Sequence, residues 1–375
     1  MILKLYNIKA VLVAKCIALK RRIVLFFNKE FNPYPKIPHG MSFSPSEFQA
    51  EQIKNLIPKL NLKEINLENY TKLQSKTRKK IEDLIGLNKN LNFQILKTKK
   101  YVFKEKYTRK RIYVSLGKSR ELPIDLLYKN TLNKAKGVMI CMQGTNSGAH
   151  LSFGEIRMPA DPFKVNAGSS LALQAADNNY IALSFDRIGY GERKERKLLK
   201  PSDLPEIDTS LHSIALGSSL LGETLSEVYA ISKWLKSEYN NLPIWCLGYS
   251  TAGNIALIAG SLFKNKIEGV CIGGCVGFFK DTILKRGVTA HLEVVNCCEW
   301  FEQDVFIKLM APRPCIVIAG VKDHIWPYKG AKNVINAARP IFRKLNVSNN
   351  INLIKGEYNH TYYPNLMWPA INKFF

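Results

Sequence analysis

Apolar residues along this chain follow two alternating patterns. Gly137 to Met142, Tyr180 to Phe185, Ile244 to Leu247, Gly269 to Ile272 and Cys315 to Ala319 are short, β-rich and nearly unbroken runs, as expected of strands covered on both faces. Between them, Gly168 to Asp177, Leu220 to Glu238 and Gly253 to Phe263 carry apolar residues at helical spacing. Strands separated by helices predict right-handed crossovers, and hence an α/β fold: a mostly parallel central sheet with helices on both faces. Residues 101 to 128 alternate apolar and polar positions about Gly117-Lys118-Ser119, which predicts an antiparallel hairpin leading into that sheet. From Ser44 to Leu87 the spacing is again mostly helical, with Ser46 behind Pro45 as the expected cap, so an N-terminal helical cover is predicted. The prolines of Asn32-Pro33-Tyr34-Pro35-Lys36-Ile37-Pro38-His39-Gly40 remove donors and favour extended geometry, marking a linker. The expected division is an extension over 1–75 and one large domain over 76–375.

Charge changes this picture less than its size suggests. The chain of 375 residues has a net charge of +25, but its lysines are scattered among Asn and Ile and form no single basic block. No zinc spacing, aromatic RNA-binding signature or basic recognition helix accompanies them, so no nucleic-acid partner is expected. The eight cysteines include Cys141 and Cys315 inside apolar runs, and neither Cys271 with Cys275 nor Cys297-Cys298 has zinc-site spacing. Reduced core thiols and a cytoplasmic location follow. Residues 1–31 mix apolar positions with Lys4, Lys9, Lys15, Lys20, Arg21, Arg22 and Lys29. Lys15 interrupts the run from Ala10 to Leu19, leaving too little for a membrane span, and no signal-peptide pattern is present. The segment is expected to be a helix packed on the body, the alternative being weak association with an anionic membrane surface.

The chemistry is concentrated at Leu247-Gly-Tyr-Ser-Thr-Ala-Gly253, between a strand-like run and a helix-like one. A sharp strand-to-helix turn exposes a serine hydroxyl at the carboxyl edge of a sheet and needs small neighbours on both sides. Gly248, Ala252 and Gly253 supply them, making Ser250 the candidate nucleophile. A serine needs an imidazole to take its proton and a carboxylate to orient that imidazole. In a parallel sheet both come from loops at the carboxyl ends of later strands. Asp323 leaves the run Cys315 to Ala319, and His360 follows the strand-like Ile351 to Ile354, giving the order Ser250, Asp323, His360. His324 is the competing base, disfavoured because adjacent loop side chains rarely form an aligned acid–imidazole pair. The oxyanion needs two donors: the Thr251 amide after the nucleophile and the Thr145 amide in Gln143-Gly144-Thr145-Asn146-Ser147-Gly148 after an early strand. Asp186-Arg-Ile-Gly-Tyr-Gly-Glu-Arg193 is read as shaping the pocket mouth or making a structural ion pair, and Glu192 to Arg196 as a solvated charged face.

Taken together these residues resemble the α/β-hydrolase superfamily, in particular its acetyl xylan esterase and dienelactone hydrolase-like branch, over about residues 76 to 375. The likeness also rests on the Asp186–Arg193 loop, Leu220-Leu-Gly222 at a helix start, Asp304 ahead of Ala311-Pro-Arg-Pro314, and Gly86-Leu87 after a basic helix. Two positions depart from the family pattern: Gln143-Gly144 replaces His-Gly, and Ala252 replaces the second elbow glycine. The resemblance implies a serine esterase acting on small acyl groups, often acetyl on sugars, with no metal or organic cofactor and a small-molecule or carbohydrate ester as substrate. Two alternatives stand beside it: acyl transfer through the same acyl-serine, and a non-catalytic membrane-associated or binding protein that retains the fold.

Overall fold

The computed structural model describes residues 35–375 except 61, 63–66, 146, 203–205 and 283–292, together with Cys16, Leu19, Lys20 and Ile23. Nine strands form one sheet: β1 (Gln94–Phe103), β2 (Tyr107–Ser115), β3 (Glu121–Lys129), β4 (Val138–Met142), β5 (Ile181–Phe185), β6 (Ile244–Tyr249), β7 (Gly269–Gly273), β8 (Cys315–Gly320) and β9 (Ile351–Gly356). Their spatial order is β1-β2-β3-β5-β4-β6-β7-β8-β9. β1, β2 and β3 run antiparallel to their neighbours and β3 pairs antiparallel with β5, whereas β5, β4, β6, β7, β8 and β9 are mutually parallel.

Alternate residues of the buried strands feed two cores. Val138, Ile140, Ile244 and Cys246 face the helices Leu67–Ile85, Leu220–Glu238, Thr251–Leu262, Gln303–Met310 and Tyr328–Lys344. Met139, Cys141, Trp245 and Leu247 face the helices Leu171–Asp177 and Pro364–Ile371. Helices on both faces explain why the strands read as unbroken apolar runs: every second residue meets a different core. Cys141, Cys246, Cys271, Cys275 and Cys315 are buried thiols within these layers.

Three features differ from the sequence reading. The sheet is entered through a three-stranded meander, because β1 adds an edge strand ahead of the expected hairpin. β1 is exposed along almost its whole length and carries Lys97, Lys99 and Lys100, so no buried face imposes alternation on its sequence. Its turn into β2 uses Lys104 and Glu105 at positive φ (47° and 60°), without the Asn or Gly that marks such turns. The first cover helix starts at Pro45 with Ser44 in the capping position, and the Ser44 hydroxyl meets the Ser46 hydroxyl at 2.9 Å, so Ser46 is not the cap.

That helix, Pro45–Lys54, buries no residue, whereas Leu67–Ile85 docks firmly. Tyr70 donates to the Lys308 carbonyl at 2.7 Å, Gln74 to that of Ala311 at 3.0 Å, and Arg78 to those of Ser261 and Leu309, both at 2.7 Å. This helix runs through position 75, so its packing on the main body begins before that position. Of residues 1–31, Cys16, Leu19, Lys20 and Ile23 are helical and exposed, and the reading of the rest lies outside the described residues. Among the described residues no helix is long and apolar enough to cross a membrane.

Candidate active site

β6 ends at Tyr249 and the helix Thr251–Leu262 starts two residues later, leaving Ser250 alone on the turn. Its backbone sits at φ 57° and ψ −130°, a sparsely populated conformation held from both sides. The Ser250 amide donates to the Gly273 carbonyl at 2.8 Å, and the Ser250 carbonyl accepts from the Gly253 amide at 2.8 Å. Thr251 is the first helical residue, so its amide has no carbonyl one turn back within the helix and is a donor at the helix N-terminus.

Asp323 lies in the loop after β8 with its side chain fully enclosed. One carboxylate oxygen accepts from the Ile325 and Trp326 amides at 2.8 and 2.9 Å, and the other meets His360 Nδ1 at 2.8 Å. Burial pushes this carboxyl up, but the His360 hydrogen bond and charge, with the two amides, outweigh it and hold Asp323 below its ordinary value. His324 is exposed, and Asp323 holds the imidazole of His360. That contact occupies Nδ1 and leaves Nε2 as the ring nitrogen for a substrate or nucleophile.

The imidazole is placed by its neighbours. Its ring lies 4.9 Å from that of Tyr249, the residue before Ser250, and Tyr249 also packs on Tyr362 at 4.5 Å. A Cβ at Gly274, next to the residue that accepts from the Ser250 amide, would stand 3.0 Å from His360 Cε1. Loops after β6, β7, β8 and β9 thus converge at one sheet edge. Among the described residues the Ser250 hydroxyl makes no hydrogen bond to His360. Such contacts are often long without substrate.

The loop after β4 closes the opposite side. Thr145 Oγ1 and Thr251 Oγ1 are 3.0 Å apart, so both residues proposed to carry the oxyanion donors border the elbow. Gly144 permits this approach: a Cβ there would lie 2.7 Å from the Tyr249 carbonyl oxygen and 3.1 Å from Ser250 Cβ. Gln143 is built into the wall. Its Nε2 donates to Ser152 Oγ at 2.8 Å and to the Ser169 carbonyl at 2.7 Å, and its Oε1 accepts from Tyr362 at 2.9 Å.

Sequence reasoning missed a second polar cluster beside this loop. His150 Nε2 meets Asp161 Oδ2 at 2.7 Å, while Asp161 also accepts from the Ser147 hydroxyl and from the Arg157 and Met158 amides at 2.8 and 2.7 Å. Burial raises the Asp161 carboxyl, yet these four donors bring it down to about 2. Ser147 and Asp161 both approach the same ring nitrogen, so the trio is no proton relay; it ties down the chain leaving the Thr145 turn. Asp186 ties the same region to the loop after β5, accepting from the Ala149 amide at 2.6 Å and the Glu192 amide at 2.9 Å. Arg193, expected on a solvated face, instead reaches Glu227, whose side chain is fully enclosed, at 2.6 Å. A buried carboxylate recruits a cation that its sequence surroundings mark as exposed.

Behind the elbow, the loop after β7 is pinned by Gln303, which donates to the Cys275 carbonyl at 3.0 Å and accepts from the Gly277 amide at 2.7 Å. Glu302 extends that brace, accepting from the Phe279 amide at 2.9 and 2.8 Å. Burial pushes its carboxyl up from 4.5 to about 8 despite those bonds. The neutral form therefore contributes stability that is complete below pH 4.5 and lost as pH rises through about 8. Against Glu302→Gln, the wild type should lose ground steadily between those limits and hold a constant deficit above them. Chemical denaturation from about pH 5 to about pH 9 reads this, and a gap that does not change with pH removes the account.

No protein-family profile matches the chain, and no curated protein sequence matches it. Solved structures do. An acetyl xylan esterase-like protein from Bacteroides fragilis NCTC 9343 superposes with a TM-score of 0.71 at 14% identity, covering 91% of this chain and 97% of its own. A glucuronoyl esterase from Solibacter usitatus gives 0.57 at 13% identity, with coverages of 83% and 93%. Another from Teredinibacter turnerae T7901 gives 0.57 at 15%, with 96% and 100%. Identities this low speak for architecture alone, and the architecture agrees with strand order, elbow and loop placement: the chain has the α/β-hydrolase fold, with an N-terminal helical extension.

Proposed function

We propose that the protein is a serine hydrolase of carboxylic esters. The observation that carries this reading is the Asp323–His360 pair at 2.8 Å, set at the sheet edge where Ser250 occupies a strained elbow. Ser250 attacks the ester carbonyl while His360 Nε2 takes its proton, and Asp323 fixes the imidazole and stabilises the imidazolium. The Thr251 and Thr145 amides receive the tetrahedral oxyanion. His360 then gives its proton to the leaving alcohol, and water, activated by the same imidazole, releases the acid from the acyl-serine. The mechanism invokes no metal or organic cofactor.

The substrate class we propose is an acylated carbohydrate or similar small ester, acetyl in the first instance. Its structural neighbours, an acetyl xylan esterase-like protein and two glucuronoyl esterases, support it. The net charge of +25 suits an anionic saccharide, and the basic residues of 1–31 suit weak attraction to an anionic membrane surface.

Incubation with a fluorophosphonate probe followed by peptide mass spectrometry tests the core of the reading. Covalent modification at Ser250 is expected, and abolished labelling in His360→Ala. An unmodified Ser250 in folded protein refutes it. A panel of acetylated sugars, uronic acid methyl esters and aryl acetates then ranks the substrates.

A further inference from the structure

Arg187 is the second residue of the loop leaving β5, and it is 2% exposed. Its guanidinium lies 4.5 Å from the Tyr190 ring and points back at the β4 loop. Nε donates to the Gln143 carbonyl at 2.9 Å and Nη2 to the Gly144 carbonyl at 3.0 Å. One rigid fork thus grips two consecutive carbonyls immediately before Thr145.

The grip has a geometric consequence. In a trans peptide the N–H points opposite to the carbonyl of the same plane. Holding the Gly144 carbonyl toward Arg187 therefore turns the Thr145 amide away from it. The elbow lies close to that loop, as the 3.0 Å Thr145–Thr251 hydroxyl contact and the tight approach of Gly144 to Tyr249 and Ser250 show. Gln143 has side-chain anchors of its own to Ser152, Ser169 and Tyr362. Besides its bond to the Gln143 carbonyl, Arg187 holds the Gly144 carbonyl, on the peptide plane carrying the candidate donor.

We propose that Arg187 is a positioning residue for the oxyanion site, fixing the Gly144–Thr145 peptide with its amide turned toward Ser250 and placing a buried positive charge behind it. The chemical part of this role rests on the esterase reading. Burial disfavours the guanidinium charge, and Glu206 and Tyr190 act to sustain it; an arginine so placed remains a cation. The charge and the oriented dipole act in the same sense on an oxyanion, and both matter more in the tetrahedral state than for the neutral ester.

The test compares Arg187→Gln and Arg187→Lys with wild type in the full chain. It reads kcat and KM on an aryl acetate, affinities for a trifluoromethyl ketone and for an unreactive amide analogue, and amide hydrogen exchange across 143–151. For Arg187→Gln, kcat should fall about 30-fold with KM changed less than about threefold, an effect somewhat below that of deleting an oxyanion donor outright. Affinity for the ketone should fall with kcat/KM, affinity for the amide should hold, and exchange across 143–151 should quicken. Arg187→Lys, which keeps the charge and one carbonyl bond, should recover part of each loss, and it carries the comparison alone if the glutamine variant does not fold. Unchanged kcat in a folded variant, or equal losses for ketone and amide, overturns the proposal. Wild-type protein that neither turns over esters nor labels at Ser250 overturns the esterase reading instead. Hydrogen exchange then judges Arg187 by itself: unchanged protection across 143–151 overturns the positioning role, and faster exchange upholds it.

Discussion

Replacing Ser250 with alanine is expected to lower aryl acetate turnover by about 10⁴-fold or more while leaving thermal stability nearly unchanged. The size of the loss follows from the proposed division of labour: without an acyl acceptor, His360 and the oxyanion donors retain only what they offer to direct attack by water. Stability should hold because the hydroxyl makes no hydrogen bond among the described residues, and alanine keeps the same backbone restriction at φ 57°. Ser250→Gly separates the two effects. It should be equally inactive yet melt higher, since glycine adopts positive φ without the penalty that a Cβ carries. Steady-state kinetics beside calorimetry reads both. Wild-type turnover in Ser250→Ala ends the nucleophile assignment.

Gly222→Ala should do the reverse, damaging the fold and leaving the site chemistry to whatever fraction folds. A Cβ at Gly222 would lie 1.8 Å from the Ile85 carbonyl oxygen, a backbone atom with no side-chain freedom to yield. The contact is the seam between two long helices. Ser219 donates to that same Ile85 carbonyl at 2.7 Å and accepts from the Gly222 amide at 2.9 Å, while Ser226 donates to the Gly222 carbonyl at 2.6 Å and accepts from the Asn88 amide at 2.9 Å. Alanine forces the helices apart, breaking the Ser219 bridge and loosening Ile81 and Ile85, both fully buried. We expect a loss of about 2–4 kcal/mol in a urea titration, at the upper end of overpacking costs because backbone must move. A variant within about 0.5 kcal/mol of wild type shows that the helices slide freely at this seam.

Both predictions began as sequence signals of unequal clarity. The elbow was legible because a strand, a strained turn and a helix each leave a local mark, and small residues at 248, 252 and 253 are obligatory when the chain doubles back. Leu220-Leu-Gly222 was visible as a motif, but its reason, the Ile85 carbonyl, lies far away in the chain. The edge strand β1 left no signal because exposed lysines occupy both of its faces. Arg193 reads as solvated for a related cause: a charged run looks solvated until a distant helix supplies a buried carboxylate, here Glu227. The Ser147, His150 and Asp161 cluster had no recognisable spacing, since it assembles on an irregular loop.

The sequence by itself determined the alternation of buried strands and helices and the strand-to-helix turn at Ser250, because each depends on residues within a few positions of one another. Only the tertiary structure decided that Asp323 holds His360, that Gln143 anchors in the wall, and that Arg187 closes on the carbonyls before Thr145. Those contacts join loops separated by tens to hundreds of residues, and hydrogen bonds act over about 3 Å of space whatever the separation along the chain.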